Sequence, residues 1–100
     1  MKTHVMKLLT IVCEAYAQDA VTRLLREEGA HGWTLFPVEG DGAGGRRPGD
    51  IREYANIQIE AVVPPEVSDR LLEKLARDYF PRFGMIAFDS DVRVVRGEKF

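Results

Sequence analysis

The sequence contains very little of what marks disulfide-bonded or membrane-spanning proteins. Cys13 is its single cysteine, so no intramolecular disulfide can form and a reducing compartment is expected. No apolar stretch approaches the roughly 20 residues that a membrane-spanning helix needs. Lys2, Lys7 and the apolar run after them loosely imitate a secretion signal, but the run is short and continues into an amphipathic segment, which favours a first strand. We therefore expect a cytoplasmic protein.

An excess of positive charge is also missing. The formal net charge is −2, with 30% charged and 45% hydrophobic residues in 100. A nucleic-acid-binding protein needs a basic face, so we expect no nucleic-acid partner. The balance of apolar and charged residues is that of a folded soluble chain of this length, and it predicts one domain over residues 1–100.

Motifs of metal and catalytic sites are scarce as well. His4 and His31 lie far apart and have no cysteine or acidic residue at ligand spacing, so we expect no metal site. Ser90, between Asp89 and Asp91, has no histidine nearby in sequence that could activate it, and a hydrolase triad is unsupported. We expect solvated carboxylates at a turn or strand break there, and no catalytic residue.

The residues that are present predict six elements. Branched and alternating apolar residues indicate strands, and apolar residues spaced three and four apart indicate helices. The predicted order is strand 5–13, helix 15–28, strand 32–40, strand 54–63, helix 64–80 and strand 85–95, the last one split near Ser90. This β-α-β-β-α-β order predicts an α+β, ferredoxin-like sandwich with both helices on one face of an antiparallel sheet.

The first strand is apolar on both of its faces. Two helices can cover only one face of the sheet, so something else must cover the other. A homo-oligomer is the simplest cover. The two apolar sets are Leu9, Ile11 and Cys13 on one face, and Met6, Leu8 and Val12 on the other.

The stretch "GDGAGGRRPGD", residues 40–50, holds five glycines and two adjacent arginines. Consecutive glycines allow a nest of backbone N–H groups, and arginine forks bind phosphate or carboxylate oxygens. The alternative is a surface loop whose arginines only keep it soluble, and composition does not decide between the two. The segment lacks the lysine of an NTPase phosphate loop and does not open a helix as a dinucleotide-binding fingerprint does.

Three segments together resemble the PII-like signalling proteins: "NIQIEAVVPPE" (56–66), "GAHGWTLFPVEGDGAG" (29–44) and "RVVRGEKF" (93–100). The stretches "KLLTIVCE", "ANIQIE" and "DYFPRFGMIAF" are similar to shorter members tied to inorganic carbon. These members are the carboxysome-associated PII protein and the PII-like partner of the bicarbonate transporter. The resemblance covers nearly the whole chain and rests on the order and spacing of short motifs.

The resemblance implies a homotrimer that binds adenine nucleotides in clefts between subunits, with a flexible T-loop at about 40–53. Met85 stands where typical PII proteins have a lysine, which favours ADP or AMP over ATP, with cyclic AMP a further option. The implied nucleotide-binding residues are Ile11, Thr34, Gly40, Gly42, Arg46, Arg47, Glu60, Val62, Gly84, and Arg93 or Arg96. The implied bicarbonate-binding residues are Gly42, Gly44, Gly45, Arg46 and Arg47.

The implied function is a non-catalytic sensor whose T-loop is ordered by nucleotide and bicarbonate. A bicarbonate transporter or a carboxysome-related protein would then recognise the loop. Alternatives are a nitrogen-regulatory PII protein, an acylphosphatase-like enzyme, a trimeric metal-binding protein and an RNA-binding module. The enzyme requires an arginine-bearing loop after the first strand, and "CEAYAQD" has none. The RNA-binding module requires aromatic residues on the central strands, where Asn56, Gln58 and Glu60 stand instead.

Overall fold

The computed structural model describes residues 1–40 and 56–100. Their order is β-α-β-β-α-β, so the predicted fold class is confirmed. The predicted T-loop lies almost entirely outside the described residues. The elements are β1 (His4–Glu14), a 3₁₀ turn (Ala15–Ala17), α1 (Gln18–Glu27), β2 (Thr34–Val38), β3 (Asn56–Val63), α2 (Pro65–Lys74) with a π-helical turn (Leu75–Tyr79), β4 (Met85–Val94) and a 3₁₀ turn (Gly97–Lys99).

The four strands form one sheet in the order β2-β3-β1-β4, and each neighbouring pair is antiparallel. β2 lies at an edge of the sheet. Pro37 is tolerated there because a proline, which lacks a backbone N–H, would cost a hydrogen bond in a central strand. Both helices pack on one face of this sheet and enclose the core. Its largest fully buried side chains are Leu9, Ile11, Leu25, Ile59, Leu71 and Leu75.

The connection after α1 is fixed by a glycine and by an ion-pair cluster. Gly29 has a φ of 100°, a left-handed conformation that ends the helix as the sequence predicts. The Glu28 carboxylate accepts a hydrogen bond from Arg70 Nε at 3.2 Å and from Lys74 Nζ at 2.6 Å. Its side chain is only 12% exposed. This cluster therefore joins the end of α1 to α2.

The Glu28 cluster predicts a pH-dependent stability. The hydrogen bond from Lys74, followed by that from Arg70, holds the pKa of Glu28 below its ordinary value of 4.5. A lowered pKa stabilises the fold above the unfolded-state pKa, and this contribution is lost as the pH falls through the folded-state pKa. We expect Glu28→Gln to unfold at lower urea concentration than wild type at pH 7, with the gap closing below pH 4. A gap of equal size at pH 7 and pH 3 would contradict this role.

β4 is continuous, so the predicted break near Ser90 is wrong. The two carboxylates that suggested a break have partners on different elements. Ser68, fully buried on α2, donates a hydrogen bond to Asp89 Oδ2 at 2.7 Å. Asp91 forms an ion pair with Lys7 on β1, with Nζ and Oδ1 2.7 Å apart. Because groups on other elements bind both carboxylates, one by a hydrogen bond and one by an ion pair, the strand continues through them to Val94.

The sheet face opposite the helices carries an exposed apolar surface, here called the open face. Leu8 and Val12 of β1 are half-buried on it. Ile86 and Phe88 of the neighbouring β4 are 59% and 51% exposed. Large exposed apolar groups on one sheet face indicate an interaction surface. The apolar second face predicted from β1 is therefore present in the described residues.

Candidate ligand-binding site

A pocket of about 230 Å³ lies where β2 begins beside β3. Thr34 is paired with Glu60 in the β2–β3 ladder. Val62 follows on the same face of β3, because side chains two residues apart point to the same side. The resemblance assigned all three residues to the nucleotide, and the structure brings them together. The residues that line the pocket are Leu8, Gly32, Trp33, Thr34, Glu60, Val62 and Phe100.

The polar groups of the pocket are few. Glu60 Oε1 accepts a hydrogen bond from Gln58 Nε2 at 2.9 Å, which orients the carboxylate while its other lone pairs remain available. The exposed Thr34 supplies a hydroxyl that can donate or accept. Apolar walls with a few fixed polar groups are typical of small-molecule sites. This set fits a flat heterocycle that carries N–H donors on its edge.

Two aromatic side chains complete the walls, and neither was predicted from the sequence to belong to the site. Trp33 packs beneath Arg26, whose guanidinium carbon lies 5.1 Å from the ring centroid. Phe100 follows the last 3₁₀ turn. For Trp33, the sequence did offer a signal, because the single tryptophan of the chain stands next to Thr34. No local pattern could place Phe100, because its position depends on a contact with a distant loop.

Gly40 and Gly84 lie at a different point along the strands. Gly40 follows β2, whose last residue Val38 pairs with Asn56. The Gly84 N–H donates to Glu14 Oε1 at 3.3 Å, and Glu14 is also paired with Asn56. Asn56 is four residues before Glu60, which corresponds to about 13 Å along a strand. The two glycines therefore lie at the same end of the sheet, beside its two opposite edge strands, and apart from the pocket.

Arg93 and Arg96 are not brought to the pocket within one chain. Arg93 is exposed and pairs with Val5, on the side of β4 that also carries Asp89. That is the helix side of the sheet, whereas the pocket lies on the open face. Arg96 Nε contacts Glu98 Oε1 at 3.4 Å beyond the end of β4. Neither arginine is among the residues that line the pocket.

Ile11 lies on the face opposite the pocket. It is 1% exposed within the core, so its side chain is not accessible to a ligand on the open face. Successive strand residues point to opposite faces of a sheet. An assignment that is off by one residue along β1 therefore selects a side chain on the wrong face. The β1 residues on the open face include Met6, Leu8, Thr10 and Val12. The assigned loop residues Gly42, Gly44, Gly45, Arg46 and Arg47 lie outside the described residues.

Cys13 is buried at 1% exposure beneath the helices. Burial, with a smaller contribution from the Glu14 carboxylate, raises the pKa of its thiol to about 11. A protonated, enclosed thiol is a poor nucleophile and a poor metal ligand, so Cys13 acts as a small apolar core residue. Residues 1–40 and 56–100 contain no group of three or more potential metal ligands. The same ranges contain no helix of sufficient length and hydropathy to cross a membrane.

Solved structures of proteins from Thermus thermophilus and Thiomonas intermedia are among those similar to this fold. A protein of Thermus thermophilus described as a putative PII-like signalling protein is 39% identical, with a TM-score of 0.87 over 100% of this chain and 99% of that chain. CPII of Thiomonas intermedia K12, a nitrogen regulatory PII-like protein solved with ADP, AMP and bicarbonate, is 31% identical, with a TM-score of 0.90 over 99% and 96%. Its complex with ADP and bicarbonate has a TM-score of 0.89 at 32% identity over 99% and 97%.

The comparison with sequence families agrees with the structural one. No curated protein matches the sequence significantly. The family model of the nitrogen regulatory protein P-II matches residues 6–99, nearly the entire chain. The matched region begins in β1 and ends in the last 3₁₀ turn, so it includes every element of the fold and every lining residue of the pocket except Phe100. The chain belongs to the P-II family.

Proposed function

We propose that this chain is a non-catalytic PII-like sensor that binds ADP or AMP in clefts between the subunits of a homotrimer. The observation that carries the proposal is the pocket at the start of β2. It unites Thr34, Glu60 and Val62 with two aromatic walls. CPII, which is similar over nearly its whole length, was solved with ADP, AMP and bicarbonate. The base would enter this pocket.

The charge distribution supports one orientation of the nucleotide. A phosphate group near the Glu60 carboxylate would be repelled, so the phosphates would extend away from it. Gly40 and Gly84 lie in that direction along the sheet, and Arg46 and Arg47 follow Gly40 closely in sequence. Met85 provides no cation after Gly84, which favours a nucleotide with fewer phosphates than ATP.

Two features support the homotrimer. The open face exposes Ile86 and Phe88, and their burial against other subunits removes apolar area from water. Arg93 faces the side of the sheet opposite the pocket of its own chain, and a neighbouring subunit would bring it to the cleft. Trimer formation would thus both cover the open face and complete the cleft.

Bicarbonate would be a second ligand, and another protein would be the partner of the T-loop. Bicarbonate would bind the glycines and arginines of residues 42–47 and, with the nucleotide, order the T-loop, because a ligand shifts a loop equilibrium only by contacting one state better. The ordered loop would be read in the cytoplasm by a bicarbonate transporter or a carboxysome-related protein. The physiological role would be regulation of inorganic-carbon uptake or fixation.

Base selectivity tests the proposal. With position 6 of the purine at Glu60, adenine would donate its amino group to the carboxylate, whereas guanine would present a carbonyl oxygen there and would have to turn to offer its N1–H and 2-amino donors. A hydrogen bond to a charged group contributes about 1.5–3 kcal/mol. We therefore expect wild type to bind ADP at least about 10-fold more tightly than GDP in calorimetry. Glu60→Gln should lose most of this preference.

The matched control is Glu66→Gln, which removes the same charge from the exposed first turn of α2. We expect its ADP and GDP affinities to equal those of wild type. Equal affinity of the wild type for ADP and GDP would contradict recognition of the base at Glu60. Absence of any adenine nucleotide binding would contradict the proposed function as a whole.

A further inference from the structure

The last residues of the chain form one wall of the pocket. They fold as a 3₁₀ turn, with Lys99 N donating to Arg96 O at 3.1 Å and Phe100 N donating to Gly97 O at 3.2 Å. The turn places Phe100 among the pocket residues, together with Trp33 and Glu60. A half-buried aromatic residue at the end of a chain is therefore held in a defined place.

Two contacts fix this turn to the body of the protein. His31 Nδ1 lies 3.2 Å from the carbonyl oxygen of Lys99, a distance at which the ring N–H donates to the carbonyl. Gly97 packs directly against His4, so closely that a β-carbon there would lie 2.6 Å from His4 Cδ2. His31 belongs to the same loop as Trp33. One hydrogen bond thus connects the segments that carry the two aromatic walls.

We propose that Phe100 is a ligand-binding residue that contacts the flat face of the bound base, and that His31 is its positioning residue. This inference rests on the proposed function. Glu60 and Thr34 would recognise the edge of the base, which leaves the faces of the ring for apolar partners. Trp33 and Phe100 provide aromatic surfaces for this purpose, and stacking on aromatic side chains is tolerant of the exact base.

Substitutions at Phe100 can distinguish an aromatic role of its side chain from simple packing. Leucine would fill much of the space of Phe100 and keep the pocket apolar, but it has no π face. Tyrosine would retain the ring. If Phe100 acts by stacking, tyrosine should substitute for it and leucine should not. If it only closes the pocket against water, leucine should serve as well as tyrosine.

The experiment uses the fluorescence of Trp33, the single tryptophan of the chain, as the binding signal. ADP is titrated into wild type, Phe100→Ala, Phe100→Leu, Phe100→Tyr and the matched control Phe80→Ala, which removes a ring that is 41% exposed after α2. We expect the dissociation constant to rise about 10-fold for the alanine and leucine variants, as for loss of a stacked ring. The tyrosine variant and the control should stay within about twofold of wild type.

His31 is tested in the same assay. His31→Ala removes the donor to Lys99 O and should weaken ADP binding about fivefold, as for loss of one hydrogen bond. His31→Gln retains an N–H donor and should restore part of the affinity. Thermal unfolding of each variant is measured in parallel, so that an affinity change at unchanged melting temperature is assigned to the site.

Each failure has a separate meaning. Wild-type affinity in Phe100→Ala, or in Phe100→Leu, would overturn the stacking role while the proposed nucleotide site remained. Wild-type affinity in His31→Ala would overturn its positioning role. If wild type itself bound no ADP, by fluorescence or by calorimetry, the proposed function and this inference would both be overturned.

Discussion

Phe88→Asp is expected to convert the proposed homotrimer into a monomer. Phe88 is 51% exposed on the open face and lies opposite Thr10 in the β1–β4 ladder. Burial of a phenylalanine side chain contributes about 1.5–3 kcal/mol. All three subunits of the proposed trimer would lose this contribution in the variant. The aspartates would also have to be buried without partners. Size-exclusion chromatography with light scattering should show one chain per particle at micromolar concentration.

The control for this variant is Phe80→Asp. Phe80 is 41% exposed but follows the π-helical turn at the end of α2, so the same substitution there should leave the trimer intact. Circular dichroism should show that both variants keep the fold, because neither side chain belongs to the core. A wild-type protein that is monomeric at every concentration tested would contradict the trimer directly.

The double variant Arg46→Ala/Arg47→Ala is expected to lose ADP binding almost completely. Each arginine that donates charge-assisted hydrogen bonds to phosphate contributes about 1.5–3 kcal/mol. Loss of two such residues would weaken binding by about 100-fold or more. Calorimetry with ADP and with bicarbonate measures both proposed ligands. The lysine double variant keeps the charge without the planar fork, so it should fall between wild type and the alanine variant.

A charge-matched control distinguishes direct contacts with ADP from an effect of the net charge of the protein. Arg23→Ala/Arg77→Ala removes two positive charges from exposed positions on α1 and on the π-helical turn. We expect it to bind ADP as wild type does. Unchanged ADP affinity in the Arg46/Arg47 double variant would show that these residues are not phosphate ligands.

The order of elements was predictable because their signals are local. The alternation of Ile57 and Ile59 with polar residues predicted β3, and Gly29 predicted the end of α1. The continuity of β4 was not predictable in this way. It depends on Ser68 and Lys7, which are distant in sequence and bind the carboxylates of Asp89 and Asp91.

The candidate site was predictable only in part for the same reason. Thr34 and Glu60 were assigned through the family resemblance, and the β2–β3 register brings them together. Ile11 was assigned to the site although it faces the core, because a sequence motif does not define which strand face carries each residue. Phe100 was missed because its place depends on the contact between His31 and Lys99.

The most direct test of the account is a crystal structure of the wild-type protein grown with ADP. We expect a trimer with one ADP in each cleft, the base at Thr34 and Glu60 and the phosphates contacted by arginines, at least one from a neighbouring subunit. An empty cleft in a trimer at saturating ADP, or a nucleotide bound away from the pocket at the start of β2, would contradict the account.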